Sequence, residues 1–337
     1  MRNSANLKMN NNHSLNKFSE NSLYLEKFYS TLNLFKQKIS EKHYKALTND
    51  KIRLAKGEKD INQTIQALCE LSVCAYFSEQ NGKFEYEPKR RGKKNPELSF
   101  CYENYSYNIE VKCPDYSIQE KKAKESYLQL KTTARFPWYP TEGREILKSL
   151  QDLFKNLGKV VEESKTDDKL FDYLKSASEK FQNFNLDNDI NILIICCEDE
   201  DDLNEFYNNL FCSTGFFTPF SYREPKYFEN VDLVFLTNLR GLHNINYLHL
   251  TDLGWNFGKV FKVFFKNPSC KKYNGIGLEN LMKLMPNYNH QFIPFRSKRD
   301  NTEVTNEIFK LKAFILEEIV EKGNRIIPNY GLRRYIA

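Results

Sequence analysis

No pair of the eight cysteines, at 69, 74, 101, 113, 196, 197, 212 and 270, has the C-x-x-C spacing of a zinc ribbon or a thioredoxin-like motif. Most lie in apolar segments, where a free thiol acts as a small hydrophobe, so a reduced, cytoplasmic protein is expected. No G-x-x-x-x-G-K-S/T occurs, which leaves an intrinsic P-loop ATPase without support. His243, His249 and His290 form neither an H-E-x-x-H motif nor a cysteine-histidine zinc pattern, and read as single core or surface residues. Long apolar runs are missing too. The longest, Ile192 to Cys197, falls far short of a membrane span, and the amino end, MRNSANLKMNNNHSLNKF, lacks the apolar stretch of a signal peptide. Nor does one sign of charge dominate: 50 Lys+Arg against 44 Asp+Glu leave +6. That excess permits a nucleic-acid partner without requiring one, so the placement of the basic residues matters more than their sum.

What is there is enough for a globular core. The chain has 337 residues, 40 % of them hydrophobic, with 26 Phe and 20 Tyr, and such a length buries apolar surface without staples. Residues 1–18, rich in Asn, Ser and Lys, read as a loose segment. From Ser19 to Leu47 the apolar residues recur at helical spacing, the signature of a helical extension over 19–55. Asp60 to Glu79 reads as a second helix, capped by Asp60 and stopped at Asn81-Gly82. Phe84 to Pro88 is a short strand, and alternating runs at Glu97–Tyr102 and Tyr107–Lys112 form a hairpin signal. Helices are expected over Ile118–Lys131, Thr141–Glu163, Lys169–Phe184, Asp201–Leu210 and Glu303–Lys322. Asn191–Cys197, Val231–Leu236 and Val260–Phe265 read as strands. The alternation points to an α/β class, with a core over 56–240 and an accessory region over 241–337.

The hairpin gathers the chemistry. Side chains alternate along a strand, so Leu98, Phe100 and Tyr102 share one face with Tyr107, Ile109 and Val111. A turn centred on Asn104-Tyr105 would pair Leu98 with Val111, Phe100 with Ile109 and Tyr102 with Tyr107. Glu97 then falls opposite Lys112, Ser99 opposite Glu110, and the two glutamates become diagonal neighbours roughly 7–8 Å apart at most. Two such carboxylates can converge on Mg²⁺ or Mn²⁺, and an adjacent ammonium can orient a water or neutralise a pentavalent phosphate. Taken alone, the same residues make an ordinary cross-strand ion pair.

Asn95-Pro96-Glu97, a spacer of twelve residues, then Glu110-Val111-Lys112 resembles the signature of the PD-(D/E)xK nuclease superfamily. The setting of a helix, a three-stranded meander and a further helix resembles it too, over roughly residues 60–131. The later strand near Ile192–Cys197 is available to complete the sheet. The family's usual aspartate is Glu97 here. The resemblance implies a restriction-endonuclease-like core, a mixed central sheet flanked by helices. It implies metal ligation by Glu97, Glu110 and the Val111 carbonyl, with Mg²⁺ as cofactor and Mn²⁺ as substitute. Lys112 would position the water or stabilise the transition state, and Glu70 matches the family's carboxylate on the preceding helix. Lys89, Arg90, Arg91, Lys93 and Lys94, just before Glu97, are candidate phosphate contacts. Lys121, Lys122, Lys124, Gln129 and Lys131 are candidates to line the same cleft.

The implied activity is Mg²⁺-dependent hydrolysis of phosphodiesters, in DNA rather than RNA, in restriction or defence against phage, with self-association or a partner protein of a defence system. Two rivals are a nucleic-acid-binding or assembly subunit with dead chemistry and an RNA-cleaving toxin. The acidic run Glu198–Asp202 reads as a helix N-terminus, where carboxylates complement the dipole, rather than as a metal site.

Overall fold

The computed structural model describes residues 9–16, 22–57, 60–89, 94–116, 128–130, 139–156, 158, 160–162, 166–184, 186–212, 214–244, 252–270, 275–300 and 310–320. Helices α1 (Ser22–Lys36), α2 (Glu41–Ala46) and α3 (Ile61–Glu79) precede the strands β1 (Lys83–Tyr86), β2 (Leu98–Tyr102) and β3 (Tyr105–Lys112). Next come β4 (Leu128–Leu130), α4 (Tyr139–Phe154), β5 (Val160–Glu162), α5 (Thr166–Phe181), β6 (Asp189–Cys196) and α6 (Glu200–Phe211). The chain continues through β7 (Leu233–Thr237), α7 (Leu239–His243), β8 (Lys262–Lys266), α8 (Gly275–Leu284), α9 (Asn289–Asp300) and α10 (Lys310–Val320).

Six strands form one mixed sheet in the order β1-β2-β3-β6-β7-β8, while β4 and β5 pair separately. The meander β1–β3 is antiparallel, β6 runs parallel to β3 and β7 parallel to β6, and β8 closes the far edge antiparallel to β7. Strand β6 is buried along its whole length, as a strand covered on both faces must be. Its side chains divide two cores. Ile192, Ile194 and Cys196 join Phe28, Leu68, Leu71 and Phe77 of α1 and α3; Leu193 and Ile195 join Leu174 and Phe181 of α5, Phe206 of α6 and Phe314 of α10. The accessory region thus supplies the sheet's edge strand β8, and the helical extension packs into the first core.

Several elements differ from the sequence reading. The single helix expected over Ser19–Leu47 is broken after Lys36, and α2 restarts at Ser40, whose hydroxyl accepts from the His43 N–H. Of the segment expected to be loose, residues 9–16 are packed: Leu15 and His13 are buried, and His13 Nε2 lies 2.9 Å from the Ile52 carbonyl. Helix α4 ends at Phe154, and Val160–Glu162 is a strand; Gly158 between them, at φ 147°, adopts a backbone that ends a helix. Leu128–Leu130 is a strand rather than helix, whereas residues 117–127 and 131, including Lys121, Lys122, Lys124 and Lys131, lie outside the described residues.

The hairpin register is the most instructive correction. The turn is the two residues Glu103 and Asn104, both left-handed at φ 45° and 66°, a tight loop whose twist matches that of paired strands. Leu98 therefore pairs with Ile109, Phe100 with Tyr107 and Tyr102 with Tyr105, a slip of two from the expected register. Because side chains alternate with period two, a slip of two keeps every side chain on its expected face. Ser99 lies opposite Asn108 rather than Glu110, and one further step of the same register sets Glu97 across from Glu110 rather than from Lys112.

Candidate functional site

Glu110 and Lys112 sit two apart on β3 and share the face that carries Leu193 and Ile195 of β6, the face covered by α5. Glu97 stands just before β2, where its carbonyl still accepts from the Glu87 N–H. Glu70 projects from α3 on the opposite layer. These positions meet at the carboxyl end of β3 and β6, around the start of β2.

Two lysines that the sequence reading missed hold the carboxylates together. Lys180 of α5 places its ammonium 2.7 and 2.8 Å from the two oxygens of Glu110 and 3.6 Å from Glu97 Oε1. Lys51 lies 2.9 Å from Glu70 Oε2, 3.1 Å from Glu97 Oε2 and 3.2 Å from Glu87 Oε1, with the Tyr86 hydroxyl at 3.3 Å. Lys112 adds a contact of 2.9 Å to Glu110 Oε1. The result is an alternating chain of charge, Glu70, Lys51, Glu97, Lys180, Glu110, Lys112. It passes from one layer to the other around the start of β2. Glu97 and Glu110 share one ammonium, so they point the same way, as the sequence reading required.

Burial makes this arrangement costly without its counter-charges. Glu110 is fully buried and Glu70 is 5 % exposed, with Gln66 Nε2 donating to its second oxygen at 3.1 Å. The three carboxyls titrate differently. Burial, and then the charge of Glu97, push Glu70 up to about 7 against the pull of Lys51. Burial would also raise Glu97, but Lys51 and Lys180 outweigh it and hold its carboxyl below the usual range. Glu110 is raised by burial and by Glu97. For both lysines burial is outweighed by the carboxylates beside them, which fix the charged form.

The buried carboxylates of Glu70 on α3 and Glu110 on β3, with the half-buried Glu97 at the start of β2, are a hard-oxygen donor set of the kind that suits Mg²⁺ or Mn²⁺. Among the described residues no group of three His, Cys, Asp or Glu side chains is arranged as a finished metal cage, because ammonium groups lie between the glutamates. The fit is therefore one of donor chemistry and charge: the carboxylates already gather cations, and those cations sit on flexible side chains that keep 19–30 % exposure. Val111, the expected carbonyl ligand, lies two residues past the last β2–β3 pair, Leu98–Ile109.

The basic stretch before Glu97 is described only at its ends. Lys89 is exposed and Lys94 pairs with Glu179 of α5, while Arg90, Arg91 and Lys93 lie outside the described residues. Gln129 falls in β4. The acidic run is a helix start, as expected: Asp199 caps α6, accepting from the Asp201 and Asp202 N–H groups. His243 is a core histidine, its Nδ1 2.7 Å from the Tyr24 hydroxyl and its Nε2 2.9 Å from the Ser72 hydroxyl; His290 is exposed. His249 lies outside the described residues.

Lys51 and Lys180 left little trace in the sequence. Lys180 adjoins Phe181 at the end of the stripe Leu170, Leu174, Ala177, Phe181, where a lysine is ordinarily solvated. Lys51 closes the π-helical turn Leu47–Lys51, whose residues show no periodicity; such turns are frequent at functional sites, but they are read from coordinates. Comparison of the chain with protein-family models, with curated proteins and with solved structures finds no match.

Proposed function

We propose that this chain is a Mg²⁺-dependent nuclease with a restriction-endonuclease-like core, hydrolysing phosphodiester bonds in DNA, in restriction or anti-phage defence. The observation that carries the reading is the convergence of Glu97 and Glu110 on a single ammonium, with Lys112 beside them. The order of elements supports it: α3 precedes the meander, the two motif glutamates fall at β2 and β3, and β6, which pairs parallel to β3, extends the sheet where the resemblance leaves room for a later strand.

Glu97 and Glu110 would hold the ion, with the Val111 carbonyl as a third donor. When bound, a divalent cation supplies polarisation of the scissile phosphate and neutralises charge developing on it. Lys112, anchored on Glu110, directs an ammonium at the same place and is suited to orient the attacking water. Glu70, with its carboxyl at about 7, is matched to proton acceptance near neutral pH.

The competing reading, a nucleic-acid-binding subunit without chemistry, draws on the same balance of charge, since each glutamate already has an ammonium partner. Incubation of plasmid DNA with Mg²⁺ or with EDTA separates them. The nuclease nicks or linearises plasmid only with Mg²⁺, and Glu110→Ala and Lys112→Ala each lose about a hundredfold or more. Cleavage that persists in EDTA or in both variants removes the mechanism.

A further inference from the structure

An open cleft of about 430 Å³ borders the site on the side of the edge strand β1, between β1 and the α1–α2 junction. Its rim carries Lys38, Lys42, His43 and Lys89, and its floor carries Phe84 and Tyr86. Lys38, Lys42 and Lys89 are exposed and Phe84 is half-buried. The cleft is continuous with the carboxylate chain. The rings of Tyr86 and His43 meet in a T-shaped contact, with centroids 5.4 Å apart, while the Tyr86 hydroxyl meets Lys51. Glu87, also in the lining, shares the Lys51 ammonium with Glu97 at 3.2 and 3.1 Å. Of the two acids in the lining, Glu87 is turned to the Lys51 ammonium, which it shares with Glu70 and Glu97, and the three lysines outnumber the pair.

We propose that this cleft is a binding track for a single strand of nucleic acid, carrying its phosphates on Lys38, Lys42 and Lys89 and leading it to the carboxylates. The proposal rests on the nuclease reading for its occupant. Charge complementarity selects a polyanion, and the half-buried Phe84 ring beside the cations leaves aromatic surface on which a base can stack, Tyr86 being buried against Phe35 and His43; an acidic peptide has no use for that surface. The helical extension before α3 thereby gains a role: it supplies Lys38, Lys42 and His43 as one wall of the track and Lys51 as its inner end.

Binding of a short fluorescein-labelled DNA strand, followed by anisotropy in EDTA, tests the track apart from cleavage. Removing all three lysines (Lys38→Ala, Lys42→Ala, Lys89→Ala) is expected to weaken binding about tenfold or more and to flatten the log–log salt dependence by about 2. A second triple variant (Lys148→Ala, Lys226→Ala, Lys266→Ala) controls for total charge and is expected to bind as the wild type does. All six lysines are exposed, so both proteins should melt with the wild type. Wild-type affinity in the first variant, an equal loss in the second, no binding by the wild type, or equally tight binding of polyglutamate would each overturn the track, even if plasmid is cut. Binding lost only in the first variant upholds the track even if Mg²⁺ elicits no cleavage, in which case the nuclease reading alone fails.

Discussion

Two buried charged clusters share the carboxyl end of the sheet, one residue apart on the chain at Lys112 and Cys113, yet they are built on opposite plans. Around Arg240, 2 % exposed, one cation meets one carboxylate and neutral acceptors: Glu198 at 3.2 Å, the Asn62 amide oxygen at 2.6 Å and Cys113 Sγ at 3.6 Å, with the Tyr116 ring 5.1 Å away. Asn244 takes the second oxygen of Glu198 at 2.7 Å. Even the next residue is fitted, since a Cβ on Gly241 would stand 2.0 Å from the Glu198 carbonyl oxygen. The neighbouring site instead draws together three carboxylates that repel one another and restrains them with three partly exposed ammonium groups. The first plan satisfies a fold; the second keeps like charges close at a cost in stability, which is how sites for a cation are made.

The largest effect should separate the two plans directly. Arg240→Ala empties the place of a large, fully buried side chain and takes the cation from the half-buried Glu198, so unfolding in urea should show a loss of about 3–5 kcal/mol. Glu110→Gln keeps the shape and hydrogen-bonding oxygen of a side chain that crowds other carboxylates, while Lys180 retains Glu97 and both Lys112 and Lys180, each 19 % exposed, can still reach water. It should change stability by no more than about 1 kcal/mol, while the proposed cleavage should be lost. Similar losses in both variants would erase the distinction.

Lys51→Met sharpens it next. Without that ammonium Glu70 and Glu97 face each other unscreened, so the variant should melt below the wild type in EDTA. It should recover with Mn²⁺, which it should bind roughly tenfold more tightly. A variant equally stable in EDTA and indifferent to Mn²⁺ would make Lys51 a bystander.

A further effect is in pH. The folded state keeps a proton on Glu70 up to about 7, whereas the unfolded chain loses it near 4.5. In EDTA the wild type should therefore lose stability as pH rises across that window, while Glu70→Gln should not show this component. Because the same proton competes with a cation, Mn²⁺ affinity should rise through about pH 7. Stability that rises with pH relative to Glu70→Gln would reverse the sign.

The legible part of the fold was what period and caps encode. Asp60 caps α3 by accepting from the Asn62 N–H, the unbroken apolar run of β6 is a fully buried strand, and the alternation at β2 and β3 fixed which face each side chain takes. The register was misread because Glu103-Asn104 lacks the glycine that usually marks a tight loop, yet an even slip left the glutamates facing together. The counter-charges were not legible. Lys51 and Lys180 reach the site from 46 and 70 residues away in the chain, and nothing local distinguishes a lysine that will bridge carboxylates from one that will face water. The break after Lys36 and the strand at Val160 were equally hidden, since tertiary packing overrides a run of good helix formers.

Calorimetric titration of Mn²⁺ into the whole chain at pH 8 asks the central question with no substrate present. A saturable site in the wild type, lost in both Glu97→Gln and Glu110→Gln and retained in Arg240→Lys, is the predicted result. Absence of binding to the wild type, or heat unchanged when either glutamate is neutralised, would mean that the alternating charges at the start of β2 serve only each other.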